Sequence, residues 1–245
     1  MEIAGRAAIV TGAAAGIGRG IASRLHAEGA TVLLVDRDAD AVSQLAAELG
    51  PKAAAHVADI TGIEGAPEIA SACAQQFGGI DILVNNAGGV VEPFFPDNDV
   101  AQWLGVIQLN LVGVMAMTQA VIPFMTERGG AIVNIASAAA LGNSSHAAPE
   151  YAAAKAGVVR LTTALSGLAE TRGVRVDCIC PDWVDTPASR QTKASMTAAE
   201  LATVPPVLLT PDQIATAVQH CIEHDESTGR VLAWWCGEDT WRIAE

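Results

Sequence analysis

The chain has 245 residues, 51% of them hydrophobic and 17% charged, with a formal net charge of −13 and a pI near 4.7. That length fits one large α/β domain, and the apolar share is enough for a core on both faces of a sheet, which excludes a disordered chain. The acidic excess, with no basic cluster to offset it, repels nucleic-acid phosphates and anionic lipid heads and excludes partners of those two kinds.

From Met1 to Gly12 there is no basic, apolar and cleavage-site succession of a secretory leader. The apolar runs read as broken by Gly or charge before the roughly 20 residues that a bilayer requires, so a soluble cytoplasmic protein is expected. Short aliphatic runs alternate with Ala-rich stretches of helical period, the pattern of a doubly wound parallel sheet with helices on both faces. Strands are expected at Ala7 to Val10, Thr31 to Val35, Ala54 to Ala58, Ile82 to Val84, Ala131 to Ile135, Val174 to Ile179 and Arg230 to Trp235. Helices are expected at Gly18 to Glu28, Ala39 to Leu49, Ile63 to Phe77, Val100 to Arg128, Glu150 to Arg172 and Pro211 to His224, with Pro123 bending or ending the fourth. The stretch 187–210, interrupted by Pro205-Pro206, reads as a lid or small helical excursion within a single domain, 1–245.

The first strand runs into Thr11-Gly12-Ala13-Ala14-Ala15-Gly16-Ile17-Gly18 and then a helix. Glycines there let the backbone approach a pyrophosphate, and the helix N-terminus offers it unpaired N–H donors. Asp36 ends the second strand, where a carboxylate accepts hydrogen bonds from adenosine ribose hydroxyls and repels a 2′-phosphate. This points to NAD over NADP, although Arg37 next door is able to reach a phosphate. Asp59 after the third strand and Asn85-Asn86-Ala87-Gly88 after the fourth lie at carboxyl ends that fit the same nucleotide. Ser137 follows the fifth strand, and Tyr151 and Lys155 then stand four apart on one helical face. An ammonium so placed stabilises a phenolate, and Ser137 is placed to hold the substrate oxygen. Tyr151 is the only tyrosine.

Five cysteines are an odd count without a C-x-x-C pair, and buried reduced thiols are expected. Cys178 and Cys180 are read as facing opposite sides of the sixth strand. His220 and His224 are read as a surface pair, and no metal site is expected.

As a set, T-G-x-x-x-G-I-G at 11–18, N-N-A-G at 85–88, Asn110, Ser137, Tyr151 and Lys155 resemble the short-chain dehydrogenase/reductase family in order and spacing, from Ala7 to about Trp235. The resemblance implies one Rossmann-like domain with a seven-stranded parallel sheet and a nicotinamide cofactor. It also implies that Tyr151 is the general acid/base, that Ser137 polarises the carbonyl, and that Lys155 holds the nicotinamide ribose and lowers the tyrosine pKa. Asn110 would anchor a proton-relay water. Gly12, Gly16, Ile17, Gly18, Asp36, Arg37, Asp59, Ile60, Asn86, Ala87, Gly88, Pro181, Val184 and Thr186 would contact the cofactor, and the family suggests a homotetramer or dimer built through the helices at Val100 to Arg128 and Glu150 to Arg172.

Two departures stand out. Pro181-Asp182-Trp183 replaces the family's Pro-Gly, putting a carboxylate beside the nicotinamide. The Ser137 to Tyr151 gap is one residue longer than the commonest spacing, with Gly142-Asn143-Ser144-Ser145-His146 bulging toward substrate. By analogy Val90, Val91, Phe94, Ala138, Ala139, Leu141, Trp183, Ala188 and Met196 line an apolar pocket, with Ser137 and His146 as polar contacts. Three tryptophans near the C-terminus, Trp234, Trp235 and Trp241, suggest a packed contact, with another subunit as one candidate. The leading expectation is NAD-dependent interconversion of a small or medium apolar secondary alcohol and its ketone. The alternatives are an NADPH-dependent 3-oxoacyl-thioester reductase docking an acidic carrier at Arg128 and Arg172, and a dinucleotide-binding sensor or scaffold without turnover.

Overall fold

In the computed structural model, which describes residues 1–125, 129–142, 145–224 and 227–244, all seven expected runs are strands. They are β1 (Ala7–Thr11), β2 (Thr31–Asp36), β3 (Ala53–Val57), β4 (Ile82–Asn85), β5 (Gly130–Ile135), β6 (Val174–Pro181) and β7 (Val231–Trp234). All pair in parallel in the order β3-β2-β1-β4-β5-β6-β7. An eighth strand, β8 (Arg242–Ile243), adds antiparallel to β7 and corrects the count of seven. Its two exposed residues form no apolar run, so the period carried no sign of it. The chain winds outward from β1 to β3 and then returns to β4 on the other side, and the loops leaving β1 and β4 part there to open a crevice at the carboxyl ends.

The sheet is buried on both faces. Helices α1 (Gly16–Ala27) and α2 (Ala39–Leu49) cover Ala8, Val10, Val32 and Leu34. On the other face α3 (Ala66–Phe77) packs over Ala7, Ile9, Leu33 and Val35. Alternate residues of one strand thus serve opposite cores.

The expected helix Val100 to Arg128 is three pieces: α4 (Val100–Ile107), a π-helical turn Gln108–Val112, and α5 (Gly113–Met125). Pro123 lies inside the last turn of α5 without ending it, and Arg128 lies outside the described residues. The stretch Val100–Met125 is long and apolar enough to cross a membrane by length and composition, with a mean hydropathy of 1.6 over eighteen residues, which corrects the expectation that every apolar run is too short. Within the fold, 39% of that eighteen-residue window is buried, and the stretch packs against α3 and the helix that follows β5.

The expected helix Glu150 to Arg172 is likewise divided, into α6 (Pro149–Ala164) and α7 (Leu168–Arg172), by a turn at Leu165 to Gly167. The stretch 187–210 is a helical excursion carrying α8 (Pro187–Ser195) and α9 (Ala198–Leu201), closed at its base by Val184 pairing with Leu209. Last comes α10 (Pro211–Glu223), which packs beside α1.

Cys178 and Cys180 face the same side of β6, with Sγ atoms 4.0 Å apart among Val114, Ala136 and Val158. The expectation of opposite faces is wrong, because residues two apart on a strand share a face. Trp241 packs within the chain, 5.2 Å from Trp234 and 5.0 Å from His220 by ring centres, and His220 and His224 stack at 4.0 Å.

Candidate active site

The carboxyl ends of β1 to β6 line a cleft of about 460 Å³. At one end the β1–α1 turn supplies Gly12, Ala15, Gly16 and Ile17. Gly12 adopts φ +65°, and a Cβ there would lie 2.8 Å from the Ala87 backbone, so only glycine is accommodated. Ala15 caps α1 with no side-chain hydrogen bond and the first turn holds no acid, which leaves the leading N–H groups available to an anion. Gly18 is buried against the Gly12 carbonyl and the Asn86 amide, and shapes the turn from behind without lining the cleft.

Asp36 stands on the wall beside Arg37, and its two oxygens accept the Ala14 N–H at 2.9 Å and the Asp38 N–H at 3.0 Å. The carboxylate is therefore fixed where the second strand ends. Asp59 and Ile60 close the same end. The Thr61 N–H bonds the Asp59 carboxylate and, with the Thr61 hydroxyl and Arg37 helping and burial opposing, holds it below the ordinary carboxylate range.

Asn86, Ala87 and Gly88 line the middle. The Asn86 side chain donates to the carbonyls of Thr11 and Gly12 at 3.0 and 3.1 Å, while the Thr11 hydroxyl accepts the N–H groups of Asn86 and Ala87. This polar stitch ties the end of β4 to the end of β1.

At the far end stand Ser137, Tyr151, Lys155, Pro181, Asp182, Val184 and Thr186. Lys155 is buried and donates to the Ile135 carbonyl at 2.8 Å, with Nζ 5.7 Å from the centre of the Tyr151 ring. Burial drops its pKa to about 8. Burial also pushes the Tyr151 phenol above its ordinary value, with a hydrogen bond to the Ser137 side chain pulling the other way. In the chain by itself the shift of the phenol is thus upward, with burial the first cause and Cys180 adding to it. Asn110, fully buried in the π-helical turn, clamps Gly89 from both sides: its Oδ1 accepts the Gly89 N–H at 3.1 Å and its Nδ2 donates to the Gly89 carbonyl at 2.7 Å. A Cβ on Gly88 would come within 2.7 Å of that Oδ1, so the N-N-A-G glycine makes room for Asn110 and Lys155.

Free N–H groups at a helix start, a fixed ribose-height carboxylate and a phenol–hydroxyl–ammonium set at the opposite end suit a nicotinamide dinucleotide laid along the cleft. The family described as short chain dehydrogenase matches residues 6–197. The chain belongs to that family.

Among relatives of this short-chain dehydrogenase, nodulation protein G of a Rhizobium species is 31% identical over 236 residues, covering 94% of this chain and 96% of the relative. The 3-oxoacyl-[acyl-carrier-protein] reductase of Vibrio harveyi is 35% identical over 224 residues, 89% and 90% of the two chains. The crystal structure of a 3-ketoacyl-(acyl-carrier-protein) reductase from Brucella melitensis complexed with NADH superposes with a TM-score of 0.85 at 30% identity, covering 96% of this chain and 98% of that one.

The residues expected to touch substrate divide. Ser137 and Ala188 line the dehydrogenase cleft, whereas Val90, Phe94, Leu141, His146 and Trp183 stand outside its walls. Leu141 packs on the Cys178 cluster, Val90 is exposed, and Trp183 is engaged through its carbonyl with the Leu209 N–H and the Cys236 thiol. His146 is exposed, its ring centre 5.9 Å from that of Tyr151 and its Nδ1 accepting the Ala148 N–H. Asn143 and Ser144 of the longer gap lie outside the described residues. Asp182 lines the cleft and accepts the Cys236 N–H at 3.2 Å, so the carboxylate that replaces glycine ties the C-terminal segment over β6. Sequence reasoning passed over Leu109, Gly89 and Val35 as wall residues. It also passed over Glu150, a buried acid one residue ahead of Tyr151 whose only signal was its place in the chain.

Proposed function

We propose that this short-chain dehydrogenase reduces a ketone of the 3-oxoacyl-thioester kind, with NADH preferred over NADPH. The observation that carries the reading is the gathering of Ser137, Tyr151 and Lys155 at one end of the cleft, where the phenol is the proton donor offered to a carbonyl oxygen and burial raises its pKa. The names of the Vibrio and Brucella reductases support the substrate class, and the Asp36 carboxylate, braced by two backbone N–H groups, supports NADH by repelling a 2′-phosphate. When bound, the dinucleotide supplies the hydride. Ser137 holds the substrate oxygen, Tyr151 passes it the phenolic proton, and Lys155 steadies the phenolate left behind while holding the ribose. Oxidation of a small apolar secondary alcohol with NAD is the second reading, and Asp36 favours it equally. Arg172 ends α7 at the amino end of β6, away from the cleft, so a carrier-free thioester such as a coenzyme A ester is the simpler substrate. A homo-oligomer, tetramer or dimer, belongs to the same reading.

The test is a fluorescence titration of NADH and NADPH against the parent, Asp36→Ala and Tyr151→Phe, with reduction of acetoacetyl-coenzyme A followed in parallel. NADH should bind more tightly, and the preference should shrink about tenfold in Asp36→Ala, as loss of about 1.4 kcal/mol implies. Tyr151→Phe should keep NADH affinity while turnover falls by about two orders of magnitude or more. Tighter binding of NADPH overturns the cofactor assignment, turnover of alcohols alone selects the second reading, and binding without any turnover restores the sensor.

A further inference from the structure

Glu150 stands immediately ahead of Tyr151 in the first turn of α6 and is only 6% exposed. Among the described residues no cation pairs with it. Its partners are neutral donors of one loop: the Phe95 N–H, at 3.3 and 3.4 Å from the two carboxylate oxygens, and the Asn98 amide at 3.0 Å. The loop joins β4 to α4, leaving the cleft at Gly88 and Gly89. Asn110 clamps it at Gly89, and Glu150 clamps it at Phe95 and Asn98. Both clamps come from the segments that carry the reactive-end residues. Along the clamped stretch Val90, Val91 and Phe95 are 42%, 50% and 52% exposed, apolar side chains on either side of exposed Glu92 in a loop that leaves the cleft at Gly89.

Burying a carboxylate on two neutral donors is an expensive way to fill a helix start, since an amide or hydroxyl would cost less desolvation. Its return is stiffness, because hydrogen bonds to a charged acceptor are stronger than neutral ones, and the helix N-terminus eases the charge. The carboxylate thus fixes the height of the loop relative to the phenol one residue away.

We propose that Glu150 is a positioning residue that sets loop 89–98 against Tyr151, so that its apolar side chains form the wall for the chain attached to the reacting carbonyl and set chain-length selectivity. The inference rests on the ketone-reductase reading. Substrates with little chain beyond the carbonyl need no such wall, whereas long acyl chains do.

Glu150→Gln, Glu150→Ala and, from the loop side, Asn98→Ala are to be compared with the parent on acetoacetyl- and 3-oxodecanoyl-coenzyme A, alongside NADH affinity, the pH dependence of kcat and hydrogen exchange at the Phe95 amide. In Glu150→Ala and Asn98→Ala the KM for the long thioester should rise about tenfold relative to the short one, the effect expected for losing a charged hydrogen bond. Glu150→Gln, which keeps one acceptor, should show a smaller rise. Phe95 should exchange faster in Glu150→Ala, with NADH affinity and the pH profile unmoved. An unchanged KM ratio despite faster Phe95 exchange overturns the proposal, as does a displaced pH profile, which would place Glu150 in the proton chemistry itself. Absence of reduction by the parent on both thioesters overturns the reductase reading beneath it.

Discussion

Tyr151 is held by opposed influences, and their balance sets the pH range over which its phenol keeps its proton. Burial raises its pKa and the Ser137 hydrogen bond lowers it, with burial prevailing. A phenol whose pKa lies above its ordinary value of about 10 keeps its proton throughout neutral pH. Ketone reduction at saturating NADH should therefore be level from roughly pH 6 to 9 and fall only as the phenol ionises, while the reverse oxidation, which requires the phenolate, should climb with pH. Initial rates in both directions across that range check this. A fall centred near pH 8 in the reduction would instead point to Lys155, whose ammonium is lost at about that pH. At the residue scale Gly12, Asp36, Ser137, Tyr151 and Lys155, chemically distinctive in the sequence, all line the same cleft. The pKa direction was not legible, since it depends on burial by distant elements and on the charge interaction with Cys180, which reaches the site only through β6.

At the scale of elements, the π-helical turn Gln108–Val112 breaks what sequence period presents as one helix. A single wide turn leaves the apolar rhythm on either side intact, so periodicity does not register it. Its consequence is Asn110, brought into the interior with bonds to Gly89 and to the Val106 carbonyl. Asn110→Ala leaves both groups of Gly89 without this partner and should cost about 1–3 kcal/mol of stability, since Gly89 is only half-buried and a polar group left unmade costs about 1–3 kcal/mol when fully buried. Urea denaturation of the two proteins measures it, and a loss below about 0.5 kcal/mol would mean that Gly89 finds water in its place. Helix starts were more legible. Asp99 with Gln102, Thr186 with Ser189 and Thr210 with Gln213 each form a reciprocal cap. Like α3, α6 and α7, α1 starts without a side-chain cap, at Ala15 where the cleft lies.

For the whole molecule, the sheet is shielded on both faces, yet α4 and α5 still expose Val100, Leu104, Met115 and Phe124. An apolar helix face of this kind, on a chain with a net charge of −13, fits a self-association surface better than a docking site for acidic partners. A Leu104→Glu, Met115→Glu double variant should drive the sedimenting mass toward the 25.1 kDa of one chain, with the parent at a multiple of it. A parent that already sediments as one chain would remove the homo-oligomer from the reading. Inside each chain, β6 is anchored by Asp177, whose buried carboxylate meets Arg230 at 2.8 Å, and the C-terminal end is closed by Trp241 packed on Trp234. The tryptophans that suggested an intersubunit contact are thus at least partly spent on the chain's own core.

By itself the sequence determined the alternation of seven strands with helices, the crevice at their carboxyl ends, and the identity of the polar groups gathered there. Those properties follow from local period and from side-chain types that few other roles require. Tertiary structure decided the eighth strand, the break at Asn110, the raised phenol pKa, and the use of Glu150 as the clamp of a distant loop. Each depends on contacts between residues far apart in the chain, and on the desolvation those contacts impose, neither of which has a period or a spacing to read.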